Sequence, residues 1–183
     1  DFKEDSLRKI GKNYVHKIEK ISNKSERSTD KLPVNFFSIG LIKLILPNSK
    51  IIHCYRNPKD NCFSIFKTHF TSGRIKYAYD LKEIVEYYKL YNDLMKYWNN
   101  VLPNFVYNIK YENLILDTES EIKNLVHFCN LKWTEVCLNF HNNNRPIRTA
   151  SDTQARSKIY NTSIDSWKHY KKYLEKYFID LKV

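Results

Sequence analysis

Glycine is scarce in this chain, and its scarcity excludes a large class of phosphate-binding motifs. Three glycines occur among the 183 residues, and they stand far apart, at Gly11, Gly40 and Gly73. The glycine-rich phosphate loops of the Walker and dinucleotide types need several glycines close together. Neither kind of loop is therefore present within these residues.

Long apolar runs and closely spaced cysteine pairs are also missing. No apolar stretch approaches the ~18–20 residues that a transmembrane helix needs. The sequence contains four cysteines but no C-x-x-C pair, and the spacing does not suit a structural zinc site. Each cysteine has apolar or aromatic neighbours, so we expect buried thiols, which favours a reducing compartment such as the cytoplasm.

Positive charge is abundant. The chain carries 31 Lys and Arg against 20 Asp and Glu, a formal net charge of +11. Such a surface favours anionic partners, including nucleotides, nucleic acids, sulfated or phosphorylated ligands and acidic peptides. Because 42% of the residues are hydrophobic, we expect one globular domain rather than a disordered chain.

Alternating helical and strand patterns predict an α/β layer fold with a mostly parallel sheet. Two short apolar runs predict strands, at 50–55 and 105–110. Helical spacing of apolar residues covers 5–22, 35–46, 58–70, 80–102, 118–129, 133–141 and 163–178. Thr118 and Glu121 have the spacing of a capping box. Two strands make a poor sheet, so either further strands are hidden or residues outside this chain complete it.

The junction after the first strand is the strongest candidate for an anion site. Arg56 follows the strand, and Asn57 and Pro58 suit the cap and first position of a helix. A helix amino end with free N–H groups attracts anions, and a guanidinium can hold a phosphate with two parallel bonds. Ser64 adds a hydroxyl donor. Alternatively, Arg56 pairs with Asp60 and Ser64 is an ordinary surface residue.

Three further places carry candidate residues, each with a simpler alternative. Tyr111 ends the second strand at the same sheet edge, or it only packs there. The basic segment 141–160 suits an anion-binding lid or is a solvated loop. Lys31 precedes an apolar helix and is either a ligand or a solvated flank. The candidates in the basic segment are Arg145, Arg148, Ser151, Thr153, Gln154, Arg156 and Lys158.

Four blocks, in this order, resemble the sulfotransferases that use 3′-phosphoadenosine-5′-phosphosulfate (PAPS). They are TDKLPVNFFSIGLIKLILPNSKIIHCYRNPKDNCFSIF, YAYDLKEIVEYYKLYNDLMKYW, IKYENLILDTESEIKNLVHFCNLKW and RTASDTQARSKIYNTSIDSW. The resemblance spans roughly residues 29–170. It is closest to the bacterial branch often fused to tetratricopeptide repeats and related to tyrosylprotein sulfotransferases.

The resemblance implies a P-loop-NTPase-like parallel sheet flanked by helices, and it assigns roles to the candidate residues. Arg56 and Ser64 match the pair that binds the 3′-phosphate, and Tyr111 matches a tyrosine beside the nucleotide. Lys31 matches the lysine that contacts the sulfate and leaving-group oxygens. The block that closes over the nucleotide is matched by Ser151, which stands near the sulfate, and by Gln154, Arg156, Lys158 and Tyr160, followed by Trp167. The implied acceptor is a hydroxyl group, and no metal is required.

Two parts of the family pattern are absent, the 5′-phosphosulfate loop of the P-R-S-G-T kind and the glutamate that takes the acceptor proton. We therefore expect residues 1–183 to be a partial sulfotransferase domain, its carboxyl-terminal two-thirds, with the first strand and phosphate loop missing. Such a chain would be weakly active or inactive. Ser166 also stands where the family often has a basic residue.

A second hypothesis is a non-enzymatic basic module that binds nucleic acid or acidic polysaccharide through its positive surface. The 14 tyrosines, 10 phenylalanines and 3 tryptophans would allow stacking on bases. Most of these aromatics fall on helical core stripes, and the sequence has no recognised nucleic-acid motif. The sequence therefore favours the sulfotransferase hypothesis.

Overall fold

The computed structural model describes residues 3–22, 25–70, 75–143 and 156–181. In these ranges the helices are α1 (Glu4–Ile21), α2 (Ile39–Ile45), α3 (Pro58–Lys67), α4 (Leu81–Val101), α5 (Tyr111–Leu116), α6 (Thr118–Phe128) and α7 (Lys171–Leu174). The strands are β1 (Ile51–Tyr55) and β2 (Val106–Lys110). Short 3₁₀ helices span Pro33–Ser38, Lys76–Tyr79, Glu135–Asn142, Ser166–Tyr170 and Glu175–Tyr177.

The two predicted strands pair in parallel, as the sequence predicted. In the register of the sheet His53 lies opposite Asn108 and Tyr55 lies opposite Lys110. Parallel neighbours need a long crossover connection, which α3 and α4 supply here. The carboxyl ends of both strands therefore reach the same edge of the sheet.

Two hydrophobic clusters form the core, and the smaller one includes residues of the sheet. The larger one joins α3 and α4 to the carboxyl-terminal segment, with Cys62 and Phe178 fully buried. The smaller one packs Ile39 and Met95 against Val106 of β2. Burying one large apolar side chain contributes about 1.5–3 kcal/mol, so these clusters fix α3 and the carboxyl-terminal segment relative to each other.

One face of β1 is open. Ile52 is 40% exposed and Cys54 is exposed on the same face, although parallel strands are normally covered on both faces. Within the described ranges the sheet has only these two strands. The prediction that two strands would be visible is therefore confirmed.

Several helix boundaries differ from the sequence prediction. The helix predicted from Asn35 to Leu46 begins as the 3₁₀ helix at Pro33, and α3 ends at Lys67 rather than near Phe70. The 133–141 segment forms a 3₁₀ helix instead of an α-helix. Residues 71–74, which lie between the helices predicted at 58–70 and 80–102, are outside the described residues.

The prediction of one continuous α-helix over 163–178 is wrong, because the chain forms three short helical segments there instead. The segment divides into two 3₁₀ helices flanking α7. Lys172 lies four residues from both Lys168 and Lys176, and like charges at this spacing destabilise a helix. The three tyrosines in the segment also have lower helix propensity than unbranched side chains.

None of the helices in the described ranges combines the length and apolar character that a membrane span requires.

Candidate anion-binding site

The candidate site lies where β1 and β2 end. Arg56 follows β1 directly, and Tyr111 follows β2 as the first residue of α5. Ligands of open α/β sheets bind at this edge. The sequence prediction that these two residues share one sheet edge is confirmed.

The amino end of α3 is capped from within the protein. The Asn57 side chain accepts hydrogen bonds from the N–H groups of Lys59 at 2.9 Å and Asp60 at 3.4 Å. The N–H of Asn57 itself donates to Oε1 of Glu112 at 2.8 Å. The predicted cap is confirmed, but the expectation of free N–H groups for an anion is wrong, because the cap and Glu112 already occupy them.

Arg56 is the cation at this corner, and only part of its hydrogen-bonding capacity is used. Its side chain is 22% exposed, and Nη2 donates to the carbonyl of Ser163 at 3.1 Å. The guanidinium carbon lies 5.7 Å from the centre of the Tyr111 ring, within cation–π distance. Nε is buried and has no hydrogen-bond partner among residues 3–22, 25–70, 75–143 and 156–181. Within these ranges Arg56 therefore retains a donor that is directed to no protein acceptor.

Tyr111 does more than pack. Its hydroxyl donates to the carbonyl of Tyr160 at 3.3 Å and lies 3.0 Å from the hydroxyl of Ser163. Residues 160–167, which we call the strap, are therefore hydrogen-bonded to the residues that follow both strands. The strap begins at Tyr160, the last residue of the segment 141–160 in which the sequence predicted an anion-binding lid.

Asp60 fastens the other end of the strap. Oδ2 accepts from the N–H of Asp165 at 2.8 Å, and Oδ1 accepts from the Ser166 hydroxyl at 3.0 Å and the Trp167 N–H at 3.1 Å. Asp165 adopts a left-handed conformation, with φ of 58°. The carboxylate is only 1% exposed, and a buried carboxylate is tolerated when donors surround it in this way.

The alternative in which Arg56 pairs with Asp60 is confirmed as an ion pair, but not as a hydrogen bond. Nη2 of Arg56 lies 4.0 Å from Oδ1 of Asp60, which is beyond hydrogen-bond length. The carboxylate oxygens are directed to the strap instead. Asp60 is attracted to the guanidinium by charge without occupying its donors.

The remaining predicted residues are spread more widely. Ser64 is half-buried on α3, two turns after the cap, and its carbonyl accepts from Thr68. Arg156 donates to the carbonyl of Asn143 at 3.3 Å, and Lys158 lines a small cavity of about 270 Å³. Lys31 is exposed before the first 3₁₀ helix. Ser151 and Gln154, with Arg145, Arg148 and Thr153, lie outside the described residues.

Sequence reasoning missed the roles of Asp60, Glu112 and Ser163. Asp60 was considered only as a partner for Arg56, and Ser163 stands in a polar segment without a motif. The signal that was available for Asp60 is its place in R-x-P-x-D, four residues after the arginine, inside the first turn of α3. Its partners are more than 100 residues away, which no local pattern reveals.

A parallel β–α–β crossover defines an α/β protein, and the arginine at its strand-to-helix corner makes this sheet edge a candidate for anion binding. A model of the sulfotransferase family matches residues 4–135, and the chain belongs to this family. The described residues contain no cluster of His, Cys, Asp and Glu that could hold a metal ion.

An uncharacterized protein of Aquifex aeolicus (strain VF5) is 34% identical over 176 residues, which cover 95% of this chain. The same match covers 23% of that relative, so the chain spans about a quarter of the length of the curated protein it matches. Membership of the family supports sulfuryl transfer as the general reaction.

Proposed function

We propose that this chain supplies the 3′-phosphate half of a PAPS site in an enzyme that transfers a sulfuryl group to a hydroxyl acceptor. The observation that carries the proposal is Arg56, which lies at the carboxyl edge of the sheet with its side chain 22% exposed and with a buried Nε that has no partner among the described residues. A guanidinium binds phosphate through several parallel donors, and within the described residues Nη2 is the donor of Arg56 that bonds to a protein acceptor.

The surrounding residues fit an adenosine phosphate. Ser64 would add a hydroxyl donor from the next turns of α3. Tyr111 lies beside Arg56 and would flank the nucleotide. Arg156 and Lys158 are exposed basic residues on the segment that leads into the strap. The net charge of +11 attracts a polyanion to such an edge.

Sulfuryl transfer depends mainly on positioning and on stabilising charge at the oxygens, as phosphoryl transfer does. When bound, PAPS supplies the activated sulfuryl group. From the family resemblance, Lys31 would neutralise negative charge on the leaving-group oxygen, and Ser151 would hold the same region. These two assignments are the catalytic part of the proposal, and Arg56, Ser64, Tyr111, Gln154, Arg156, Lys158 and Tyr160 are the binding part.

The proposal also includes residues that this chain does not contain. A parallel sheet of two strands is small for an independent domain, and the exposed face of β1 is the kind of face that helices of a larger α/β domain cover. Both features suit a larger P-loop-like domain, in which residues outside 1–183 supply a further strand and the 5′-phosphosulfate loop. The base for the acceptor proton would also lie there. The 183-residue chain would therefore bind nucleotide but transfer little or no sulfate.

A protein tyrosine is the acceptor that we propose first, because the sequence resembles the tyrosylprotein branch. Tetratricopeptide repeats in a longer protein would help to bind such a peptide. A longer protein that includes the loop should transfer labelled sulfate to tyrosine peptides and not to sugar hydroxyls. Transfer to sugars alone would contradict this choice while leaving the PAPS site intact.

Titration with adenosine 3′,5′-bisphosphate (PAP) tests the nucleotide site. Arg56→Ala should weaken PAP binding by about 10- to 100-fold, because it removes charge-assisted hydrogen bonds to a phosphate. The measurement is calorimetric titration of the purified chain. Arg8→Ala is the matched control, since Arg8 is an exposed arginine on α1 that pairs with Glu4. Equal PAP affinity in the wild type and Arg56→Ala would contradict the proposal.

The basic-module hypothesis makes the opposite prediction. It predicts that the chain has no affinity for PAP. It also predicts that the chain binds oligonucleotides of any sequence, with an affinity that falls steeply as the salt concentration rises. Its support is the net charge of +11 and the abundance of aromatic side chains. A parallel titration with a random single-stranded oligonucleotide at two salt concentrations separates the two functions.

A further inference from the structure

Asp60 occupies an unusual position for a carboxylate so close to a proposed phosphate site. It is the one charged side chain that is fully buried in the described ranges, and it lies on the same turn of chain as Arg56. A bare negative charge there would oppose anion binding. Its contacts therefore need an explanation beyond simple pairing with the arginine.

The geometry separates the charge of Asp60 from the donors of Arg56. All three hydrogen bonds to the carboxylate come from the strap, and they use both oxygens. Nη2 of Arg56 donates instead to the carbonyl of Ser163, which lies on the same strap. The guanidinium thus stays beside the carboxylate at 4.0 Å, while Nε has no partner in the part of the chain that the structure describes.

The strap is held at three places, and each one involves a residue of the candidate site. Tyr111 holds its beginning, Arg56 holds its middle and Asp60 holds its end. If the end is released, the Ser163 carbonyl and the left-handed turn at Asp165 lose their fixed position relative to α3. The orientation of Arg56 then loses one of its supports.

We propose that Asp60 is a positioning residue of the phosphate site. It holds the strap on the first turn of α3 and so orients Arg56, while its own hydrogen-bonding capacity is taken up by strap donors and not by the guanidinium. The inference rests on the proposed function, because it assigns Asp60 a role at the 3′-phosphate position. It does not make Asp60 a catalytic residue, since the side chain is buried away from any ligand.

Asp60→Asn distinguishes this role from a purely electrostatic one. The amide keeps the size of the side chain but removes the charge and one of the two acceptor atoms. If Asp60 acted only as a nearby negative charge, its removal would strengthen the binding of an anion. If Asp60 positions Arg56, the same change weakens it. The two hypotheses therefore predict opposite signs.

The experiment measures the affinity of the 183-residue chain for PAP and for adenosine 5′-phosphate, which lacks the 3′-phosphate. For Asp60→Asn we expect PAP affinity to fall about tenfold, with adenosine 5′-phosphate affinity within about twofold of the wild type. Hydrogen exchange at the N–H groups of Asp165 and Trp167 should become faster in the same variant. Titrations are made below the unfolding temperature of every variant.

Two further variants keep the test decisive. Ile39→Val weakens the smaller hydrophobic cluster, which contains no residue of α3 or of the strap, so it should lower the unfolding temperature without changing the ratio of the two affinities. Ser166→Ala removes one of the three donors to Asp60, and a smaller loss of PAP affinity is expected. Ser166→Ala therefore tests the positioning role of Asp60 even if Asp60→Asn does not fold.

The outcomes separate the inference from the proposed function. If PAP affinity stays equal or rises in Asp60→Asn, the positioning role is overturned and the proposed function still stands. If Asp60→Asn fails to fold, unchanged PAP affinity in Ser166→Ala has the same meaning. Failure of the wild-type chain to bind PAP overturns the proposed function and this inference with it. The positioning role is also overturned if the affinities for PAP and for adenosine 5′-phosphate fall together, so that their ratio is preserved, as in a general destabilisation.

Discussion

His53 on β1 lies between two polar partners on one face of the sheet. Nδ1 lies 2.7 Å from Oδ1 of Asn108, and Nε2 makes a short contact with the Tyr91 hydroxyl. Burial lowers the pKa of His53 below its usual range, and the hydrogen bond to Asn108 opposes this only in part. Burial also raises the pKa of Tyr91, so its hydroxyl stays protonated and donates to the imidazole. The neutral imidazole therefore satisfies both nitrogens.

This arrangement predicts a loss of stability in mild acid. The unfolded chain binds a proton at His53 near pH 6.5, whereas the folded chain does so only at lower pH. The contribution of neutral His53 to the free energy of unfolding is therefore complete above about pH 6.5 and is lost as the pH falls through the folded pKa. Urea unfolding at several values between pH 8 and pH 5 measures this loss.

Comparison with His53→Gln isolates the contribution of His53 to the pH dependence of the free energy of unfolding. Glutamine does not titrate, and the other histidines are common to both chains. The variant should be less stable at pH 8 but lose less stability on acidification than the wild type. His16→Gln, at an exposed position on α1, serves as the control and should keep the wild-type slope. Parallel pH profiles for the wild type and His53→Gln would contradict the prediction.

At the scale of single residues, the sequence predicted what local chemistry determines. Arg56, Asn57 and Tyr111 were identified because strand ends, caps and a planar cation have local signatures. The hydrogen bonds of Asp60 were not predicted, because their geometry depends on how residues 163–167 cross the sheet edge. No sequence pattern encodes contacts over such a separation.

Helix α6 shows the same limit at the scale of secondary structure. The sequence predicted a capping box of Thr118 with Glu121, but the cap is Asp117, whose Oδ1 accepts from the Ser120 N–H at 3.2 Å. The Thr118 hydroxyl donates instead to the carbonyl of Leu114 at 2.8 Å. The prediction placed the helix correctly and its cap one residue too late, because α5 ends immediately before it and its last turn provides an acceptor for Thr118.

The cap predicts unequal effects of two substitutions in α6. Asp117→Ala should lower the free energy of unfolding by about 1 kcal/mol, since it leaves the first turn without its acceptor and removes a negative charge at the positive end of the helix dipole. Glu121→Ala should change it by less than about 0.5 kcal/mol. Urea unfolding of both variants measures the difference. A larger effect at Glu121 would restore the capping-box interpretation.

At the scale of the whole molecule, composition and periodicity predicted the parallel sheet but not what surrounds it. The order of strands and helices is local information, and the structure agrees with it. The covering of β1 depends on residues that pack from elsewhere, so apolar character at Ile52 did not reveal whether that face is buried. The proposal that further residues complete the sheet therefore depends on this face being open in the 183-residue chain.

The reactivity of two cysteines tests whether this face is open, with Cys54 on the face itself and Cys62 as a buried reference. Cys54 is exposed on β1, whereas Cys62 is fully buried in α3, where burial raises the pKa of its thiol to about 12. Burial also raises the pKa of the Cys54 thiol, so we expect access to the reagent to decide which of the two thiols reacts. We expect N-ethylmaleimide to label Cys54 in the native chain and to label Cys62 only after unfolding in urea. Peptide mass spectrometry at a series of labelling times follows both sites in one sample.

Equal protection of Cys54 and Cys62 at low protein concentration would mean that this face is already covered, which removes the basis for a sheet completed from outside the chain. If protection of Cys54 appeared only at high concentration, a second copy of the chain would be the cover.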